Sequence, residues 1–545
     1  MRSEGALPAA EKLGDFTMTP RALWIGGLAV GIGGAAALLA LGLMRLIGWF
    51  TNLFFYQRWS DAMVSPAGNR LGLWEAAVPV AGALIIGLMA RFGSERIRGH
   101  GIPEAIEAIL INGSRLEPKV ALLKPLSSAI SIGSGGPFGA EGPIIMTGGA
   151  FGSMVAQFFR LSSAERKTLL AAGAAAGMSA TFAAPVASVL LAVELLLFEW
   201  KPRSLIPVAL ASAAAGAARR YLMGLGPLFP VPAHAAFLGP AGLAGCVVAG
   251  LAAGLLSALL TQAVYGTEDL FRKLPIHWMW WPAIGGAVVG LGGLVFPQAL
   301  GVGYDVIGQL LQGDAPRNLI LGVLLVKSVI WAVSLGSGTS GGVLAPLLMM
   351  GGALGGIEAM FLPHEGAGFW PLVSMGAVLG GTMRAPLTAV VFAVELTHDG
   401  NVMLPLLVAV AFSYGFTVLM LRRSILTEKV ARRGYHLSCE YAVDPMEALR
   451  VRDVMQPDGA APAEAEEEEP AVAYADEPLR AVVHRMAEQG LTRFPVVERG
   501  KPRQRVGTIA LGDLLRARTR LQEEEGRRER VLRVRLPFGA GERAG

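Results

Sequence analysis

The chain has 545 residues, 53% of them hydrophobic and only 16% charged, with 71 glycines, whereas soluble domains carry about 25% charged residues and about 7% glycine. That balance excludes an ordinary water-soluble fold and predicts a polytopic membrane protein. The net charge of +5 is read as Lys and Arg at cytoplasmic loop ends, among them Arg160, Arg166, Lys167, Lys201, Arg422 and Arg423; no basic patch with interleaved aromatics points to nucleic acid.

Residues 1–20 are mixed polar and lack the basic start, apolar core and small-residue cleavage site of a signal peptide. They are read as a cytoplasmic segment, with the first apolar run as the targeting element. Uncharged runs long enough to cross about 30 Å of hydrocarbon lie at 22–44, 168–193, 274–304, 328–357 and 401–421. With shorter runs between them they predict ten or more helices, some only partly crossing. Cys246 and Cys439 are the two cysteines, too few for a disulfide framework or a metal cluster.

Three glycine-rich loops break the apolar sequence. In Gly99-His100-Gly101-Ile102-Pro103-Glu104, Pro103 has no backbone donor and suits a first helical turn, while the glycines let amides face a ligand without a Cβ in the way. Gly139-Ala140-Glu141-Gly142-Pro143 and Gly342-Val343-Leu344-Ala345-Pro346 have the same design. Free amides at the positive end of a helix dipole hold an anion without a full charge. An anion that must leave quickly is better held this way than by a buried Arg. Any one such loop is equally a close-packing break between membrane helices.

An internal repeat weighs against that alternative. Leu122-Leu123-Lys124 and Ser131-Ile132-Gly133-Ser134-Gly135 match Leu325-Val326-Lys327 and Ser334-Leu335-Gly336-Ser337-Gly338 at an offset of 203. Gly139 and Pro143 fall on Gly342 and Pro346, and Ala184-Pro185, Glu194 and Leu195 return as Ala385-Pro386, Glu395 and Leu396. Two membrane halves broken at matched glycines point to a transporter with its site at the repeat interface. Glu141 breaks the symmetry, since its mate is Leu344. A lone acid in an uncharged run is costly and functional by default; Glu194 and Glu395 recur in both halves and are read as structural.

On these loops the chain resembles the CLC family of chloride channels and anion/proton exchangers, from about residue 20 to 435. The resemblance implies an all-α polytopic fold, an inverted repeat of tilted and broken helices with halves at roughly 75–225 and 280–425. It also implies a homodimer with one anion pathway per subunit. It makes Glu141 the gating glutamate and proton acceptor, and Gly99, His100, Gly101, Ile102, Pro103, Gly139, Ala140, Gly142, Gly342, Val343, Leu344, Ala345 and Leu426 the anion-binding positions. No cofactor is implied.

This sequence departs from the family pattern in four places. His100 replaces the usual central serine, Leu344 the phenylalanine of the third loop, and Leu426 the pore-lining tyrosine, so the site loses two hydroxyl donors. His100 offers a ring N–H instead, or turns away to bond backbone. Leu195 stands where many proton-coupled members carry a second glutamate, which leaves exchanger and channel both open. Nitrate, bromide or fluoride stay open beside chloride.

Composition changes near residue 440. The stretch 458–470, ending in Glu466 to Glu469, is too polar to fold alone and is read as a flexible acidic insertion. A helical period at 478–489, strands at 494–497 and 506–510 and a helix from Asp513 predict a small β-α-β-β-α unit within 436–520, followed by a charged tail, 521–545. It resembles a single CBS motif. Such motifs work in pairs, so pairing across the dimer is expected, with Asp513 as candidate adenine-nucleotide contact although Ala510 replaces the usual Thr or Ser. The reading reached is a chloride or similar small-anion transporter of the bacterial inner membrane, both termini cytoplasmic. Its expected alternatives are a voltage- or pH-gated channel without proton coupling and a transport-deficient sensor. No metal-ligand cluster or nucleophile–base pair suggests an enzyme.

Overall fold

The computed structural model describes residues 20–111, 113–435, 446, 449–457, 472–498 and 501–526. Cys439, the acidic insertion 458–470, residues 1–19 and the tail beyond 526 lie outside the described residues.

The first half runs through α1 (Arg21–Tyr56), α2 (Ala77–Phe92), α3 (Ile102–Leu110), α4 (Pro118–Gly133), α5 (Glu141–Gln157), α6 (Ser163–Phe182), α7 (Pro185–Leu191) and α8 (Pro202–Leu222). The second runs through α9 (Pro240–Arg272), α10 (Trp281–Val295), α11 (Tyr304–Gln312), α12 (Arg317–Gly322), α13 (Ser328–Gly336), α14 (Leu344–Glu358), α15 (Phe369–Met383), α16 (Pro386–Thr397), α17 (Met403–Met420) and α18 (Ile425–Arg432). Among the described residues six helical stretches are long and apolar enough to cross a membrane, and α14, α15 and α16 are shorter apolar helices. The chain is a multi-pass membrane protein of the expected all-helical class.

Two of the uncharged runs do not cross as single helices. The run 168–193 is cut where α6 ends at Ala183 in the left-handed region (φ 57°) and Pro185 opens α7. The run 328–357 is split by the loop between α13 and α14. Lack of charge permits a span, but proline and glycine end the hydrogen-bond ladder first. The break at Ala183 is repeated at Arg384 (φ 57°), again followed by Ala-Pro. A left-handed non-glycine residue costs about 1–2 kcal/mol, so its recurrence shows that the repeat extends to backbone geometry.

The two halves cap each other. Glu194 accepts from the backbone N–H of Leu387 (3.1 Å) and Thr388 (2.8 Å), at the start of α16. Glu395 accepts from Val186 (3.0 Å) and Ala187 (2.8 Å), at the start of α7. Each carboxylate satisfies orphan donors at the positive end of the other half's helix, which accounts for its recurrence.

Close helix packing explains many of the glycines. Gly148 of α5 and Gly173 of α6 each lie against the other's carbonyl, and a Cβ on either would strike it. Their counterparts use the same device, Gly351 of α14 lying where a Cβ would come 2.8 Å from both Met375 Cα and Ser374 O. Leucine at position 173 must therefore push α5 and α6 apart at the loops they carry, beyond the ~1–3 kcal/mol of ordinary overpacking. Gly173→Leu protein is expected to aggregate on extraction, and a monodisperse chromatographic peak with unchanged melting temperature would contradict this packing.

The tail forms a four-stranded sheet ordered β1-β4-β3-β2, with β1 (Gln456–Pro457), β2 (Ala473–Tyr474), β3 (Arg493–Glu498) and β4 (Lys501–Ala510), flanked by α19 (Leu479–Gln489) and α20 (Leu511–Gly526). Phe494, Val496 and Ile509 from the sheet and Leu479, Val482 and Leu514 from the helices make its core.

Candidate functional site at the crossing of the two halves

The three loops meet through backbone pairing. Gly139 N–H donates to Gly342 O (3.1 Å) and Gly342 N–H to Gly139 O (2.9 Å). Gly99 N–H donates to Thr339 O (3.0 Å), and Gly99 O accepts from Gly341 N–H (3.4 Å). Gly139 and Gly342 are repeat mates, so the first pair marks the local two-fold relation between the halves. Gly142 packs on both other loops, a Cβ there striking His100 O and lying 3.1 Å from Gly342 Cα. The starts of α3, α5 and α14 thereby come to one place, with their unpaired amides.

Glu141 opens α5 and is fully buried. Its Oε2 has no hydrogen-bond partner and lies against Gly139 and Gly342, where a Cβ on Gly139 would overlap it and one on Gly342 would come within 3.0 Å. The carboxylate occupies the space those two glycines leave open. Tyr304, at the start of α11, points its hydroxyl at Oε1 (3.5 Å) and packs edge-on against Phe182 and Phe229.

His100 is 3% exposed and its Nδ1 has no hydrogen-bond partner, so that nitrogen is not spent on backbone. Gly99 (φ 81°) and Gly101 (φ 89°) hold it in a turn open only to glycine. Ile102, Pro103, Ala140, Val343, Leu344, Ala345 and Leu426 are all buried around the crossing or on the elements leading to it. Leu195 lies in a π-helical extension of α7 (192–197), 5% exposed.

Sequence reasoning missed four residues. Lys124 is buried beneath the first loop and donates to Ile97 O (2.8 Å), Gly99 O (2.7 Å) and Ser340 Oγ (3.1 Å), tying the halves together. Its mate Lys327 donates to Gly301 O (2.8 Å). The signal was in the repeat: both lysines recur, and Gly301-Val302-Gly303 is the mate of Gly99-His100-Gly101. Tyr304 follows that fourth loop as Ile102 follows the first. Lys429 reaches Gly99 from α18, and no local pattern marked it.

The sequence profile of the family described as voltage gated chloride channel matches residues 81–418. The chain belongs to this family. The H(+)/Cl(-) exchange transporter ClcA of Salmonella arizonae is 30% identical over 416 residues, covering 72% of this chain and 84% of that protein. Among solved structures, a slow cyanobacterial Cl-/H+ antiporter matches with a TM-score of 0.66 at 22% identity, covering 76% of this chain and 99% of its own. A eukaryotic CLC transporter matches with a TM-score of 0.65 at 19% identity, over 90% of this chain and 98% of its own. A CBS domain profile matches residues 451–520. The protein is therefore a CLC-family anion transporter with a C-terminal CBS domain, not an enzyme.

In the CBS domain, Asp513 is engaged by its own fold. It accepts from Ala510 N–H (2.9 Å), Gln456 Nε2 (2.9 Å) and the Arg516 guanidinium, beside a cavity of about 290 Å³ that Asp453 and Arg520 also line. Burial pushes its carboxyl up, but these three donors outweigh it and hold it below the usual aspartate range. A depressed carboxyl contributes stability above its unfolded value of about 3.9 and loses it as pH falls through the folded value. Protection of the β4 and α20 amides relative to their intrinsic exchange rates is expected to fall below about pH 4, and less so in Asp513→Asn protein; equal acid sensitivity of the two would refute this assignment.

Proposed function

We propose that the protein exchanges chloride, or a similar small anion, for protons, with Glu141 as both gate and proton acceptor. The observation that carries this reading is the Glu141 carboxylate folded into the space between Gly139 and Gly342, among three helix N-termini. A negative group there competes with an anion for the same amides, and protonation removes its claim on them. The amides of the 99–103, 139–142 and 342–345 loops, the His100 ring and the surface formed by Leu426 then hold the anion. The similarity to an H(+)/Cl(-) exchange transporter and to a Cl-/H+ antiporter supports proton coupling.

A second reading, a gated chloride channel without coupling, is favoured by apolar Leu195 on α7. Proton movement in liposomes, driven only by a chloride gradient with voltage clamped by potassium and valinomycin, separates the two. Uphill proton movement supports exchange. Chloride flux without protons refutes it.

The assembly belongs to the same proposal: an inner-membrane homodimer with cytoplasmic termini, residues 21–435 as transport domain and 436–520 as a CBS domain paired with its counterpart across the dimer. Adenine nucleotide at Asp513 is a weaker part of it, because Asp513 already has three donors.

A further inference from the structure

Charge around the crossing concentrates in one cavity of about 550 Å³, between the 99–101 loop, the end of α9 and α18. Six cationic side chains line it against three acidic ones, so its field favours anions. His100 lines its inner end, buried, with Nδ1 unpartnered.

Lys429 lies beside it. This residue sits one turn after Leu426 on the same face of α18 and places its ammonium against Gly99, where a Cβ would strike Nζ. Nζ donates to Glu104 Oε1 (2.7 Å) and Arg98 O (3.3 Å). An ammonium has three donors, which leaves one for the cavity. Glu104 Oε1 also accepts from Arg433 (3.1 Å), so the buried carboxylate keeps a counter-charge when Lys429 turns to another partner.

We propose that Lys429 and the His100 ring form an anion-holding site at the inner end of this cavity, with Lys429 setting the affinity for anions that enter from the side of the CBS domain. The inference rests on the transport reading above. Lysine suits the role because its charge is compact, strongly hydrated and carried on a flexible stem. Pairing with Glu104 moderates its pull, so a small monovalent anion is held briefly and passed to the loop amides. If Lys429 served only as counter-ion to Glu104, its loss would lower stability and maximal flux but leave the half-saturating anion concentration unchanged.

The test measures chloride flux from oriented proteoliposomes against chloride concentration on the CBS-domain side, with melting temperature followed in parallel, for wild type, Lys429→Met and Lys429→Arg. The half-saturating concentration is expected to rise about tenfold in Lys429→Met, the loss of one charge-assisted hydrogen bond of modest net worth, and to return towards wild type in Lys429→Arg. The same concentration in all three proteins, or a lower melting temperature in Lys429→Met with no change in half-saturation, overturns the proposal while the transport reading stands. Wild-type protein that moves no chloride overturns both.

Discussion

Glu141→Ala protein is expected to move chloride while chloride-driven proton movement falls to that of protein-free liposomes. The carboxylate is the proton acceptor of this reading, and its Oε2 fills the space between Gly139 and Gly342. Alanine both removes the proton acceptor and opens that space to the anion, so one substitution has two consequences of opposite sign. Proton coupling is lost because the group that takes up the proton under this reading is gone. Chloride flux survives because the backbone amides, which hold the anion under this reading, are untouched. Persistent proton movement in Glu141→Ala would assign the coupling elsewhere. Loss of chloride flux in well-folded Glu141→Ala would mean the carboxylate shapes the loops and does not gate them.

The second large effect is expected at Lys124. Methionine keeps most of the side-chain volume but leaves Ile97 O, Gly99 O and Ser340 Oγ without this donor in a buried setting. An unsatisfied buried acceptor costs about 1–3 kcal/mol, while removing a buried ammonium relieves some desolvation. Ser340 keeps bonds to Ser127 Oγ (3.1 Å) and Ser128 Oγ (2.9 Å) and Gly99 O keeps the longer bond from Gly341 N–H (3.4 Å), so Ile97 O carries most of the loss, on the order of 2 kcal/mol. Because Gly99 pairs with the 339–341 loop of the other half, the damage falls on the site as well as on the fold. Lys124→Met is expected to lower the melting temperature and abolish most chloride flux. Lys327→Met, which removes one such bond to Gly301 O, should do less of both. Equal effects from the two, or none from Lys124→Met, would show that the lysine is not what holds the loops together.

Much of this was legible in the residues. The scarcity of charge made the chain a membrane protein, because each charge in hydrocarbon is expensive. Prolines and glycines marked where helices break, and the recurrence of Lys124, Gly139, Pro143 and Glu194 about 200 residues later announced two related halves. Glu141 stood out because its mate is Leu344. All of these are local signals, carried by composition, periodicity or the geometry one residue type permits.

What the tertiary structure alone decided is which recurring parts touch. The reciprocal hydrogen bonds of Gly139 with Gly342, the exchanged caps of Glu194 and Glu395, and Lys124 bridging Gly99 to Ser340 join residues about 200 positions apart. No local propensity encodes such pairing, since it follows from how two helical halves pack. For the same reason Tyr304 came to face Glu141 and Lys429 came to rest on Gly99 without any motif to mark them, and the uncharged run at 328–357 became two helices joined by a loop that pairs with Gly99 and Gly139.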